Sequence, residues 1–379
     1  MLPAFKQTRV MRGMMGAAMR GFSLLELMVA VAISLLLLMG VIALFISSRA
    51  SYETTERLSR IQESGRFALD QIANDLRASG YQGCSRAVAT SRRVDYAINR
   101  LKTSNTLLWN FTTTTQGFDG RGGTTFAPAL PATFDPVALG VGDVLVMRIP
   151  RREVATLYTT VSANPTSPLT VPNVTPAPFQ AGDTAMITDC EARAWFEVTS
   201  YSAGVIEHVE SSGVSRDLGT DSLGNRITVL SPGNVDGTLL HPFRVNSQVV
   251  PVDTVIYYLG RSTAFPDDPT RFSLWRKTGG TNLSDEIADG IDRFEVQYGQ
   301  EVGGVMTYVD ASAVTNWDNV LTVQIAVLAR APDAYGNDLD TQQHVLFAAP
   351  TRVTAGPLND RAQRKVFTAT VAVRNQIID

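Results

Sequence analysis

The chain has 379 residues and a formal net charge of -3, with 33 lysines and arginines against 36 aspartates and glutamates. That length can enclose a sizeable core, and the charge balance excludes a protein that works through an overall basic field, such as a non-specific nucleic-acid binder.

Lys6, Arg9, Arg12 and Arg20 open the chain with no acidic residue among them. Then comes Gly21-Phe-Ser-Leu-Leu-Glu-Leu27, followed by apolar residues to Ile46. From Leu27 to Ile46 twenty residues carry no charge, about 30 Å as a helix and enough to cross the hydrocarbon layer of a membrane. The basic residues before the run hold the start of the chain in the cytoplasm and place everything after Ser47 outside it. Glu26 is the anomaly, because an ionised side chain in such a segment costs at least a few kcal/mol unless it is partnered. A cut after Gly21 gives Phe22 a free α-amino group four residues before Glu26, one helical turn away or facing a neighbouring subunit. Two other readings compete. A secretory signal cut after Ala50 has Ser48 and Ala50 as its small residues, but an apolar region about twice the usual 7 to 15 residues and a glutamate inside it. An uncleaved anchor explains the length and leaves Glu26 without a partner.

The run from Gly21 to Leu27 resembles the start of a type IV prepilin. The resemblance implies cleavage by a membrane aspartyl prepilin peptidase after Gly21, methylation of the new Phe22 amine, and packing of the helix into a filament core with Glu26 setting register. Residues 1–21 are then a leader and 22–46 a transmembrane or filament-core helix. Removing the leader's four positive charges leaves 358 residues and takes the formal charge from -3 to -7.

Residues 47–80 keep a helical period but become one-sided. Leu58, Ile61, Gly65, Ala68, Leu69, Ile72 and Leu76 fall at steps of three and four, on a stripe expected to pack on a sheet. Arg57, Arg60, Arg66, Asp70, Asn74, Asp75 and Arg77 are expected to be mostly a solvated face. No proline occurs between Pro3 and Pro128, and Gly80 suits a C-terminal cap. One helix from Phe22 to about Ser79 is roughly 85 Å long.

Residues 81–379 read as a β-rich domain with long Pro/Gly/Thr loops. Tyr81 to Asn110 is of mixed character. Thr112 to Thr115 and Gly117 to Thr125 read as a polar, glycine-rich loop, and five prolines between Pro165 and Pro178 mark a second extended connection. A first group of strands is expected at Val144–Arg148, Val154–Val161, Ala185–Thr188, Ala194–Tyr201 and Val205–Val209. A second is expected at Val249–Leu259, Phe272–Lys277, Phe294–Tyr298, Met306–Val309, Val320–Ala329 and Val366–Val373. Leu321, Val323, Ile325 and Val327 alternate to one face, as do Phe367, Ala369, Val371 and Val373, which reads as half-buried antiparallel sheet. The fold class is α+β: a long N-terminal helix packed on a mainly antiparallel sheet.

The segment Asp289-Gly-Ile-Asp-Arg-Phe-Glu-Val-Gln-Tyr-Gly299, with Trp317, the Val320–Arg330 strand and Arg364-Lys-Val-Phe-Thr-Ala-Thr-Val-Ala-Val-Arg-Asn375, resembles the ending of PilW-type minor pilins, and Gly80-Tyr-Gln-Gly-Cys84 resembles that family too. The implied protein is a structural subunit that primes a type IV pilus near its tip. Its partners are other minor and major pilins, the prepilin peptidase, an inner-membrane assembly platform and a tip adhesin, and it moves from the bacterial inner membrane, with a periplasmic domain, to the filament. A type II secretion pseudopilin and an adhesive or ligand-binding module are the alternatives.

Cys84 and Cys190 lie in the exported part and are expected to form a disulfide, with two separate buried thiols as the alternative. A bond would close a loop of about 100 residues, worth roughly 4 to 5 kcal/mol by chain entropy. His208, His241 and His344 lack metal-ligand spacing and read as surface or locally hydrogen-bonded residues. Two acidic runs raise a calcium possibility, Asp333, Asn337, Asp338 and Asp340, and Asp285, Glu286, Asp289 and Asp292. Neither follows the alternating oxygen order of an EF-hand, and solvated loops are the simpler reading. No enzyme motif is present, so neither catalysis nor a cofactor is expected.

Overall fold

The computed structural model describes residues 23–81, 83, 96–132, 134–151, 155–157, 167–189, 191–220, 224–334, 338–348 and 353–373. The chain divides into two compact units, Met1–Glu56 and Arg57–Asp379. A single α-helix of 55 residues, Leu24–Ala78, contributes to both.

From Leu27 to Ile46 the helix is apolar on every side, and every residue from Leu24 to Ile46 is exposed. A helix of this kind is stable only where lipid or other helices cover it. Ser34 returns its hydroxyl to the Ala30 carbonyl at 2.7 Å, so the one hydroxyl in the stretch is satisfied locally. Charge returns with Arg49, paired to Glu53 at 3.0 Å.

Within the second unit the helix has two distinct faces. Ile61, Gly65, Ala68, Leu69, Ile72 and Leu76 are buried as their spacing predicts, and Ala73 joins them. They enter the largest apolar cluster together with Leu145, Met147, Val255 and Tyr257 from one sheet and Phe294, Val323, Ile325, Val327 and Val371 from another. This part of the helix therefore covers two sheets at once. At Gly65 the helix approaches the sheet so closely that a Cβ there would overlap the Phe367 ring. The helix stops at Ala78, and Gly80 takes the left-handed φ of 71° while its N–H donates to the Arg148 carbonyl at 3.2 Å.

The described residues form five sheets. The ten-stranded sheet is built on Gln248–Arg261, whose first residues pair with Thr184–Thr188 and whose later ones pair with Val144–Pro150 on one side and Phe272–Thr278 on the other. The four-stranded sheet runs Val305–Val309, Ile291–Val302, Val320–Ala334, Ala362–Ala372, antiparallel throughout. One described pairing is parallel, Tyr96–Asn99 with Ala192–Glu197. The architecture is α+β with mostly antiparallel sheet, as expected.

Gln248–Arg261, from the second group of expected strands, is the centre of the sheet that holds members of the first. Two expectations are corrected. Thr115–Gly120 is a strand paired with Val144–Pro150, where a glycine-rich loop is expected. Gly117 is there because the Tyr298 hydroxyl fills the space a side chain would need. Finally, Val320–Ala334 is buried on both faces: Val323, Ile325 and Val327 join the cluster under the helix, and Ala326 and Leu328 are covered by Leu346, Phe347 and Ala355.

Candidate assembly site

The helix begins with a serine N-cap in the Ser-x-x-Glu spacing of a capping box. Ser23 occupies the position before the first helical residue, its Oγ accepts the Glu26 N–H at 3.1 Å, and its carbonyl accepts the Leu27 N–H at 3.1 Å. Glu26, three residues after Ser23, lies in the first turn, where the unpaired N–H groups of the helix favour a negative charge. The spacing of Ser23 and Glu26 carries this signal in the sequence. It supplies a local stabiliser for the carboxylate besides the amine that cleavage would create. Gly21, Phe22, Cys84 and Cys190 lie outside the described residues.

The C-terminal segments that resemble the PilW ending come together through charge. Arg364 Nε donates to Asp292 at 2.6 Å, and its Nη1 donates to Asp340 at 2.9 Å and to Asp360 at 2.6 Å. The Arg364 hydrogen bond holds Asp360 at about 2, below the usual carboxylate range. Arg330 stands 3.8 Å from Asp292, and His344 meets Asp340 at 2.8 Å. Trp317 packs edge-on against Tyr298 with ring centroids 4.8 Å apart. Within this network the residues clamp neighbouring strands to one another.

Asp75 corrects the solvated-face reading. Its Oδ2 accepts from Tyr257 Oη at 2.7 Å and from Arg276 Nε at 3.0 Å, tying the helix to the ten-stranded sheet. Burial, reinforced by the Asp75 charge, pushes the Tyr257 phenol well above its ordinary value.

The two acidic runs spread over separate partners. Asp289 accepts from Ser262 at 2.7 Å and Ser273 at 3.0 Å, Glu286 accepts from Thr263, and Asp292 and Asp340 are engaged by Arg364. Asn337 lies outside the described residues. Among the described residues, no group of three or more His, Cys, Asp and Glu is placed to hold a metal ion. The histidines are locally bonded: His208 to the Ser167 carbonyl at 3.1 Å, His241 to Asp189 at 3.0 Å, and His344 to Asp340.

A carboxylate cluster that sequence reading does not reveal joins the two main sheets. Asp143 is buried and accepts the N–H of Gly120 at 2.9 Å and of Val296 at 2.8 Å, and its own N–H donates to Phe294 at 2.7 Å. Glu295 lies beside it, and burial pushes both carboxyls up, Glu295 to about 7. Asp119 accepts from the N–H groups of Ala311 and Ser312 at 2.7 and 2.8 Å.

An uncovered apolar helix with a carboxylate in its first turn, followed in the chain by antiparallel sheet, is the plan of a type IV pilin. Residues 17–42 match the prokaryotic N-terminal methylation motif. Residues 256–375 match the family described as type IV pilus-assembly protein W, and the two matches, at opposite ends of the chain, support a type IV pilus protein of the PilW type. A solved structure, a type IV-like pilin from Thermus thermophilus, aligns over 85% of this chain and 96% of its own at 11% identity and a TM-score of 0.29. No curated protein matches the chain.

Proposed function

We propose that the chain is a minor pilin that primes assembly of a type IV pilus from a position near the filament tip. The observation that carries this reading is the stretch Leu24–Ile46, apolar and uncovered on all sides, with Glu26 its one charged group. The leader, residues 1–21, is removed by the prepilin peptidase between Gly21 and Phe22, and the Phe22 amine is methylated. Residues 22–46 hold the precursor in the bacterial inner membrane and then enter the filament core, 47–80 continue the helix, and 81–379 form the periplasmic domain. Cys84 and Cys190 form a disulfide there. Glu26 pairs with an N-terminal amine during docking, and because an unpaired carboxylate among apolar helices costs several kcal/mol, wrong register is penalised more than right register is rewarded. Other minor pilins, major pilins, the assembly platform and a tip adhesin are its partners. Its role is structural, without catalysis or nucleic-acid binding.

Two measurements test this. Mass spectrometry of the native protein is expected to show Phe22 as a methylated N-terminus, and an assembled, active protein that keeps its first 21 residues overturns the reading. Glu26→Ala is expected to reduce surface pilus number by about five- to thirtyfold, the effect of losing about one to two kcal/mol per docking step, while the periplasmic domain still folds. Deleting the gene separates a pilus protein, whose loss abolishes twitching, from a type II secretion pseudopilin, whose loss abolishes protein export.

A further inference from the structure

Arg148 is a buried cation with no counter-ion among the described residues. It sits in the Val144–Pro150 strand opposite Thr254 and is 5% exposed. Its Nη2 donates to the Leu107 carbonyl at 2.7 Å, whereas its buried Nε and Nη1 have no acceptor among the described residues. The contrast with other arginines of this chain is plain: Arg151, Arg276 and Arg364 meet carboxylates at 3.1, 3.0 and 2.6 Å.

Arg148 borders a cavity of about 20 Å³ with Tyr81, Phe111, Arg193, Trp195 and Val252 among its walls, and no carboxylate of the described residues lines it. The pairings Thr254 with Arg148, Val250 with Met186, and Met186 with Trp195 put Arg148, Val252 and Trp195 on one face of the ten-stranded sheet. Phe111 stacks on Trp195 with centroids 6.4 Å apart, and the Arg193 guanidinium lies 5.6 Å from the Trp195 ring centroid. Two guanidinium side chains and a set of aromatic rings thus enclose one small space.

We propose that this cavity is a site for one small monovalent anion, of chloride or acetate size, with Arg148 as its principal ligand. A water molecule could accept an N–H there but would leave the buried charge uncompensated. The cavity is little larger than a single water needs, which excludes phosphate esters and nucleotides. Unopposed burial pulls the Arg148 guanidinium down to about 9, and an anion at its side reverses that pull.

The test is thermal unfolding of the full chain in detergent at constant ionic strength, with gluconate replaced stepwise by chloride, acetate or sulfate. Chloride and acetate are expected to raise Tm saturably, by about 3 to 5 °C at a hundred times the dissociation constant, with no such rise in sulfate. Arg148→Met is expected to lose the response. A rise that is linear and equal for all the anions overturns the proposal, as does a saturable rise that persists in folded Arg148→Met. If that variant does not fold, the wild-type anion series decides alone.

Discussion

Glu26 and Asp75 are carboxylates on the same helix, and their surroundings give them opposite tasks. Glu26 stands in an exposed first turn, where Ser23 caps its backbone N–H and the helix N-terminus favours its charge, and in the proposed filament its partner is an N-terminal amine. Asp75 is already paired, to Tyr257 and Arg276, with its side chain 13% exposed. Removing it takes the carboxylate from the Arg276 guanidinium, which keeps Thr278 Oγ1 at 2.8 Å and Tyr257 Oη at 3.2 Å, and takes the acceptor from the buried Tyr257 hydroxyl. Asp75→Ala is therefore expected to destabilise the domain by about 2 to 3 kcal/mol, read as a lower denaturant midpoint at unchanged slope. A midpoint within experimental error of the wild type would show that solvent takes over the pairing. Glu26 was legible in the sequence because an acid inside an apolar run is locally anomalous. Asp75 was not, because helical spacing says which side of the helix it occupies, while its partners arrive from strands some 180 and 200 residues downstream.

At the scale of elements, Gly65 shows what a stripe does and does not foretell. Its place on the apolar face follows from steps of three and four, but the reason it must be glycine lies in the Ala362–Ala372 strand, where Phe367 lies against it. Gly65→Val has to displace that ring or lift the helix from the sheet. It is expected to cost about 2 to 3 kcal/mol, at the upper end for overpacking, and pairing it with Phe367→Ala is expected to recover part of the loss in a double-mutant cycle. Simple additivity of the two changes would mean that the contact does not govern the fit. The same logic separates the strands that were legible from those that were not. Gln248–Arg261, Ile291–Val302 and the C-terminal pair announce themselves by apolar alternation or continuous apolar runs. Thr115–Gly120 was hidden by Gly117, which reads as a turn signal but makes room for Tyr298. The hairpin Ser215–Thr220 with Arg226–Leu230 was hidden because it is largely exposed and has no alternation to show. Sheet membership was the least legible feature, since Gln248–Arg261 pairs on both sides with strands distant in sequence.

At the scale of the whole β-rich unit, the two main sheets meet at Asp143 and Glu295, and burial of both carboxyls leads us to expect a pH dependence there. Asp143 accepts N–H groups from a strand of each sheet, Gly120 and Val296. Glu295 is raised to about 7, first by burial, with Arg293 opposing and Asp310 and Asp119 adding to the shift. A carboxyl raised in the folded state holds a proton that the unfolded chain releases near its ordinary value, so the folded form binds more protons between about pH 4.5 and 7. Its contribution is complete below the unfolded value and is lost as pH rises through about 7. His208 acts with the opposite sign, because burial lowers its pKa and the unfolded chain takes up a proton first as pH falls below about 6.5. The two trends overlap in the wild type, so the useful quantity is the difference between wild type and Glu295→Gln, whose amide mimics the neutral acid. That variant is expected to gain on the wild type by on the order of 2 kcal/mol between pH 5 and pH 8, measured by urea unfolding at both values. The His208 contribution cancels in that comparison. A difference that stays constant with pH would mean that Glu295 is ionised throughout, and that the sheets are joined by the Asp143 backbone bonds alone.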